Sequence, residues 1–321
     1  SIYQEAARAQ YKASVATVVT ETKRRYYGAL AAKQFVGIAQ ATLSNTEENL
    51  KTISALFNEG LVAEFDQIRA QVAVDNVRPE VTNAEAGYNN ALSALLTYLA
   101  MDITDTVTLP QGQLGNPEPL PNEDSAIVRA LQENYDLKAL ELQIKVADGI
   151  VDVQRSTYYP TLTLFGQWQN QGQRVDGSGT WLDASTSLVG LNFSFNIFNG
   201  TRTLAQVEQA QADYESVREQ YALLKNNVKL QVRVIVNDLR SALQRIEAQQ
   251  STVQQAQRGF DISRIRYTEG TGSLLEINDA QVALSRAQVN RLSALLDYYV
   301  KRAEFDRTVG NVEERYLRMA E

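Results

Sequence analysis

Two carboxylates three residues apart, Glu276 and Asp279, an isolated acid at Asp66 and a phenol at Tyr267 are the side chains whose types and spacing invite a chemical reading. Acids at i and i+3 of a helix share a face, and like charges held close together attract cations and resist each other's approach. Plainer roles stand beside these. Ser273-x-x-Glu276 is a capping box, and Asp66 is a first-turn carboxylate set favourably against a helix dipole. The chain has no Cys and no His, which removes thiol nucleophiles, imidazole bases, His-containing triads and the usual zinc sites together. Chemistry would rest on carboxylates, Lys, Ser or Tyr, and there is no phosphate-binding glycine loop, so neither an enzyme nor a cofactor or metal site is expected. Lys and Arg number 31 against 38 Asp and Glu, for a net charge of −7 without basic tracts. Nucleic acid is therefore not an expected partner.

These residues lie in a stretch that occurs twice. Phe57-Asn58-Glu59-Gly60-Leu61-Val62-Ala63-Glu64-Phe65-Asp66 is followed by Ala70-Gln71-Val72-Ala73, and 210 positions later Tyr267-Thr268-Glu269-Gly270-Thr271-Gly272-Ser273-Leu274-Leu275-Glu276 is followed by Ala280-Gln281-Val282-Ala283. Self-similarity at a fixed offset is the signature of a repeat. Each copy reads as a helix closed by a glycine, a tight turn, and a second helix starting.

The elements that must hold these tips follow from the rest of the pattern. Ile2 to about Phe57 lacks Pro and predicts one long helix. A second runs from about Ala63 to Ala100, with Pro79 as an expected kink. Thr104–Leu109 reads as a short strand, and prolines at 110, 117, 119 and 121 make an irregular link. A helix is expected over 125–158. The longest, from about Thr201 to Thr268, has an apolar stripe at Val228, Val232, Ile235, Leu239, Ala242 and Ile246. A last one covers about Ser273 to Val309. The expected divisions are a helical hairpin at 1–100, the link at 101–124, a second repeat at 125–310, and a tail at 311–321. No apolar run approaches the roughly 20 residues of a membrane helix.

The β signal is confined to a hairpin at 161–198. Leu162, Leu164 and Trp168 alternate with mostly polar neighbours. In the second strand Val189, Leu191, Phe193, Phe195 and Ile197 face one way, with Gly190, Asn192, Ser194 and Asn196 on the other side. Apolar outside and polar inside is what an outer-membrane barrel strand requires; a sandwich hairpin with one buried face has the same alternation. By the 210 offset, a counterpart of residues 125–210 would precede Ser1. No signal peptide is recognisable at the N-terminus. The sequence thus reads as an N-terminally truncated form of a two-repeat protein with four strands.

The order of these segments resembles the TolC-like outer membrane efflux proteins over nearly all of residues 1–310. The resemblance rests on Arg25-Tyr26-Tyr27-Gly28-Ala29-Leu30, Asn134-Tyr135-Asp136-Leu137, Tyr159-Pro160-Thr161-Leu162, Phe195-Asn196-Ile197-Phe198-Asn199-Gly200 and, above all, the two tips. Asn196 and Thr201 depart from the Pro and second Gly more usual at the strand exit. The resemblance implies a mainly α fold: long antiparallel coiled-coil helices in an α-barrel, and a hairpin contributing to a transmembrane β-barrel. It implies a homotrimer in the outer membrane of a Gram-negative bacterium, reaching into the periplasm as a passive exit duct for efflux or type I secretion. Its partners would be outer membrane lipid, a periplasmic adaptor and, through the adaptor, an inner membrane transporter. With two strands per chain, a twelve-stranded barrel would not close. A soluble coiled-coil adaptor or scaffold is the alternative, although adaptors of that kind carry a lipoyl-like β domain that interrupts the hairpin.

The resemblance also assigns roles. Gly60, Leu61, Val62, Gly270 and Thr271 would dock on the adaptor. Asp66 and Tyr267 would link neighbouring coiled coils in a closed state, while a second, basic link would fall on Gly272, which has no side chain. Threefold symmetry would gather Glu276 and Asp279 into six carboxylates at the pore entrance. No Arg or Lys stands between Arg266 and Arg286, so this ring is expected to lack local neutralisation. The tips are expected at one end, with Trp168 and Val189 about 100 Å away at the other.

Overall fold

Alanine-rich, proline-poor sequence with regularly spaced apolar positions forms helices here over lengths rare in compact domains. A computed structural model describes residues 2–103, 105, 107, 109, 114–174 and 181–312. The helices are α1 (Ile2–Asn58), α2 (Glu64–Tyr98), α3 (Glu123–Glu133), α4 (Tyr135–Ser156), α5 (Arg202–Thr268) and α6 (Leu274–Thr308); between α4 and α5 lie β1 (Thr161–Arg174) and β2 (Trp181–Ser194). At 1.5 Å per residue, the 67 residues of α5 extend about 100 Å. Threonines inside α1 are tolerated because their hydroxyls donate to carbonyls one turn back, as Thr42 does to Ile38 at 2.9 Å and Thr46 to Thr42 at 2.8 Å. Helix α2 runs unbroken through Pro79.

The chain divides into two compact units, residues 1–9 with 137–224, and residues 10–136 with 225–321. In the larger unit every member of the α5 stripe from Val228 to Ile246 is buried. The link at 114–122 is held against α6: Tyr298 Oη donates to the Glu118 carbonyl at 3.0 Å, Tyr299 Oη to the Asn116 carbonyl at 3.4 Å, and Arg302 pairs with the Glu118 carboxylate at 2.7 Å. Burial pushes the Asp306 carboxyl above the usual carboxylate range, against the pull of Arg302. The expected strand at 104–109 falls in part outside the described residues, as does most of the tail at 311–321.

Two expectations are corrected. The single helix over 125–158 is broken at Asn134, whose backbone is extended (φ −60°, ψ 126°). Asn134 closes α3 and turns its buried amide to the end of α6, donating to the Thr308 carbonyl at 3.0 Å. Tyr135 Oη donates to the Gly310 carbonyl at 3.1 Å, and Arg307 pairs with Asp136 at 3.0 Å. The break is thus set by three long-range contacts rather than by a local helix breaker.

The strands are the second correction. Each has 14 residues, and β2 ends at Ser194, so Phe195 and Ile197 lie beyond the strand. The chain then leaves through Gly200 (φ 65°) and Thr201 (φ 69°). Glycine takes this conformation freely, but a β-branched residue in it is strained by about 1–2 kcal/mol, which is the physical content of the departure at Thr201.

Candidate functional site

Both helical hairpins close with the same hydrogen bonds. At the first tip Gly60 N donates to Phe57 O at 2.9 Å and Leu61 N to Leu56 O at 2.9 Å; at the second, Gly270 N donates to Tyr267 O at 3.0 Å and Thr271 N to Arg266 O at 2.8 Å. These are Schellman closures, with Gly60 (φ 74°) and Gly270 (φ 72°) in the left-handed region that only glycine enters without strain. The helices that leave the tips, α2 and α6, have 35 residues each. They end alike: Met101 N reaches Leu96 O through Ala100 (φ 54°), and Asn311 N reaches Asp306 O through Gly310 (φ 71°).

The two tips share one apolar cluster. Ile53 of α1, Ala70 of α2, Phe260 and Tyr267 of α5, and Leu274, Ile277 and Leu284 of α6 form its buried centre, with Val62 packed against it. Beyond this centre Leu61 is 67 % exposed, and Gly60, Gly270 and Thr271 are also exposed. The five expected docking residues therefore fall at one end of the same unit, four of them open to a partner. Across the hairpins Arg264 pairs with Glu48 at 3.4 Å, and Asn45 donates to Gln281 at 3.3 Å.

The ionisable residues divide by environment. Tyr267 lines a cavity of about 210 Å³ with Glu48, Asn49 and Arg264. Its hydroxyl is buried and has no hydrogen-bond partner among the described residues. Burial, and then the charge of Asp66, raise its pKa. Asp66 thus acts on Tyr267 within one chain, but no bond joins them there. A buried hydroxyl without a partner costs about 1–3 kcal/mol.

The acid pair is not left un-neutralised as expected. Ser273 Oγ accepts from Glu276 N at 3.3 Å, as the capping box requires, but the Glu276 carboxylate pairs with Arg266 across the turn at 3.3 Å. Arg266 also donates to the Thr271 carbonyl at 3.1 Å and so braces the tip. Asp279 is exposed, and no ion pair reaches it among the described residues. At Gly272 a Cβ would stand 3.1 Å from the Tyr267 nitrogen and the Arg266 Cβ, a tight fit that the turn would have to ease by a few tenths of an ångström. Sequence reading missed Arg266 because its partner lies ten positions on, across a turn, where no helical spacing applies.

The β1–β2 register sets Leu162 opposite Phe193, Leu164 opposite Leu191, and Gly166 opposite Val189. Opposed residues of an antiparallel pair share a face, so Leu162, Leu164, Trp168, Val189, Leu191 and Phe193 make one apolar surface. Each is 67 % exposed or more, whereas a sandwich would bury that face. On the other face the Phe165 ring lies over Gly190, where a Cβ would come within 2.6 Å of Phe165 Cζ. Among the described residues no helix is long and apolar enough to cross a membrane, and no cluster of metal-ligating side chains occurs.

Comparison with known proteins gives this arrangement its relatives. The chain is 24% identical over 316 residues to the outer membrane protein TolC of Escherichia coli K12, covering 96% of the chain and 64% of that relative. It is 24% identical over 281 residues to the pyoverdine export outer membrane protein OpmQ of Pseudomonas aeruginosa, covering 85% and 56%. Its fold superposes on the outer-membrane channel OprN with a TM-score of 0.79 at 21% identity, over 97% of this chain and 70% of that one. The chain thus spans a little under two thirds of the length of the E. coli relative. The outer membrane efflux protein model matches residues 126–311, more than half of the sequence, and the chain belongs to that family.

Proposed function

We propose that this chain forms part of a passive exit duct, a homotrimer seated in the outer membrane of a Gram-negative bacterium and reaching into the periplasm. The observation that carries this reading is the exposed apolar face of β1–β2, a surface that lipid would cover. The tip residues Gly60, Leu61, Val62, Gly270 and Thr271 dock on a periplasmic adaptor, which connects the duct to an inner membrane transporter. A soluble coiled-coil adaptor is not favoured, because the relatives are outer membrane proteins and the family model is that of efflux proteins. We infer also that the chain carries two copies of one repeat; the matching hydrogen bonds at the two tips and the equal lengths of α2 and α6 support this.

At the pore entrance Asp279 carries the cation affinity of the acid pair, since Arg266 already compensates Glu276. Tyr267, with an unsatisfied hydroxyl beside Asp66, takes its partner from a neighbouring protomer when the pore is closed. The test is single-channel conductance of the full-length protein in a planar bilayer, with a divalent cation on the periplasmic side. Asp279→Ala should relieve block several-fold, and Glu276→Ala should change it little. Absence of any conducting pore would overturn the duct; unchanged block in Asp279→Ala would return that acid to a plain surface role. Residues 1–321 contain no Cys, and a Cys introduced at exposed Leu61, compared with the parent protein, reports docking. It should cross-link to the adaptor in cells, and failure to do so alongside an active duct would remove the tips from the docking surface.

A further inference from the structure

Away from the tips, α1, α5, α6 and Leu114 of the link enclose an open-mouthed cavity of about 410 Å³ whose described lining includes Ile38, Val253, Leu292 and Leu295, with Gln34, Gln288 and Arg291 as polar members. Leu292 and Leu295 are buried. Among the described residues no Asp or Glu lines it. Arg291 is half-buried, its Nε is shut off from solvent without a hydrogen-bond partner, and no ion pair reaches the guanidinium among the described residues. On the same two helices, α5 and α6, Arg245 pairs with Asp297 at 3.1 Å and Lys301 with Asp238 at 3.1 Å.

A guanidinium is never deprotonated in a protein and presents five donors in a planar fork that suits carboxylate, sulfonate or phosphate. Held against apolar walls with no acid beside it among the described residues, it offers an unpaired positive charge to an incoming anion. We propose that this cavity is a binding site for a small organic anion with an apolar body, its acidic head on Arg291 and Gln288 and its body on Ile38, Val253, Leu292 and Leu295. The volume accommodates a molecule of about the size of a substituted naphthalene, within the range of ordinary ligand pockets. Bound there, such an anion contacts three helices at once and holds them together.

The charge requirement can be tested without any variant. Naphthalene-2-sulfonate and the neutral naphthalene-2-sulfonamide have nearly the same shape, and each is titrated calorimetrically into the full-length protein held in amphipol. The sulfonate should bind at least tenfold more tightly than the sulfonamide. Arg291→Gln should bring the sulfonate to the level of the sulfonamide, Arg291→Lys should keep much of the preference, and Val253→Trp, which fills the cavity, should abolish both. Equal affinities for the two compounds in the parent, or a sulfonate affinity unchanged by Arg291→Gln, would overturn the assignment.

Discussion

Gly310→Ala should destabilise the larger unit by about 2–5 kcal/mol. Two costs add. The residue sits at φ 71°, where a Cβ costs about 1–2 kcal/mol. The added methyl would also stand 2.4 Å from the Glu133 carbonyl oxygen and 2.7 Å from its carbon. That neighbour is backbone at the end of α3, fixed by Asn134 and Tyr135, so it cannot rotate away, and overpacking of this kind costs about 1–3 kcal/mol more. Ala100 supplies the control. It closes α2 as Gly310 closes α6, at φ 54°, and Ala100→Gly should stabilise by about 1 kcal/mol through relief of the same strain. Thermal unfolding of the purified protein reads both changes. A Gly310→Ala variant within about 0.5 kcal/mol of the parent, the scatter of an ordinary surface substitution, would show that α6 does not press on α3 as described.

The second large effect separates the two faces of β1–β2. An arginine replacing Leu191, at the centre of the exposed apolar face, should cost about 2–4 kcal/mol in a bilayer, while an arginine replacing the adjacent Asn192 should cost far less. The residues are neighbours in sequence and lie opposite Leu164 and Thr163, so strand propensity and position along the strand are nearly matched. What differs is the medium each side chain meets. Equilibrium unfolding from lipid vesicles measures the difference directly. Equal tolerance at the two positions would remove lipid from one face and with it the main support for the exit duct.

Much of this architecture was legible because its signals are local. Helix ends at Asn58, Glu64, Thr268 and Leu274 follow from glycines that close helices and from a Ser that opens one, and the α5 stripe follows from spacing alone. The features that escaped are those decided at a distance. Asn134 breaks a helix without Gly or Pro nearby, because its amide is needed at the Thr308 carbonyl, 174 positions away. The turn-side ends of the strands, where Gln169–Arg174 pair with Trp181–Thr186, carry mostly polar residues and so show no alternation. Conversely, Phe195 and Ile197 continue the alternation although the ladder has ended at Ser194. In the candidate site, tip positions were readable from the repeated motif, but the charge balance was not: Arg266 belongs to one helix and Glu276 to the next.

The shared apolar cluster beneath the tips bears on the order in which the chain acquires its structure. Within each hairpin the partners are close in sequence, Ile53 with Ala70 and Tyr267 with Leu274, so little loop-closure entropy opposes their meeting. The seam between hairpins is different, for its links join Asn45 to Gln281 and Glu48 to Arg264 across 236 and 216 positions. Contacts of low sequence separation form quickly and distant ones slowly. Each helical hairpin can therefore take shape by itself, with Leu56, Phe260 and Ile277 briefly open to solvent, until the second hairpin arrives to cover them. For a chain of this kind the vulnerable interval is the wait between hairpins, and the closely packed cluster that later holds the tips together is, during that interval, the surface most exposed to wrong partners.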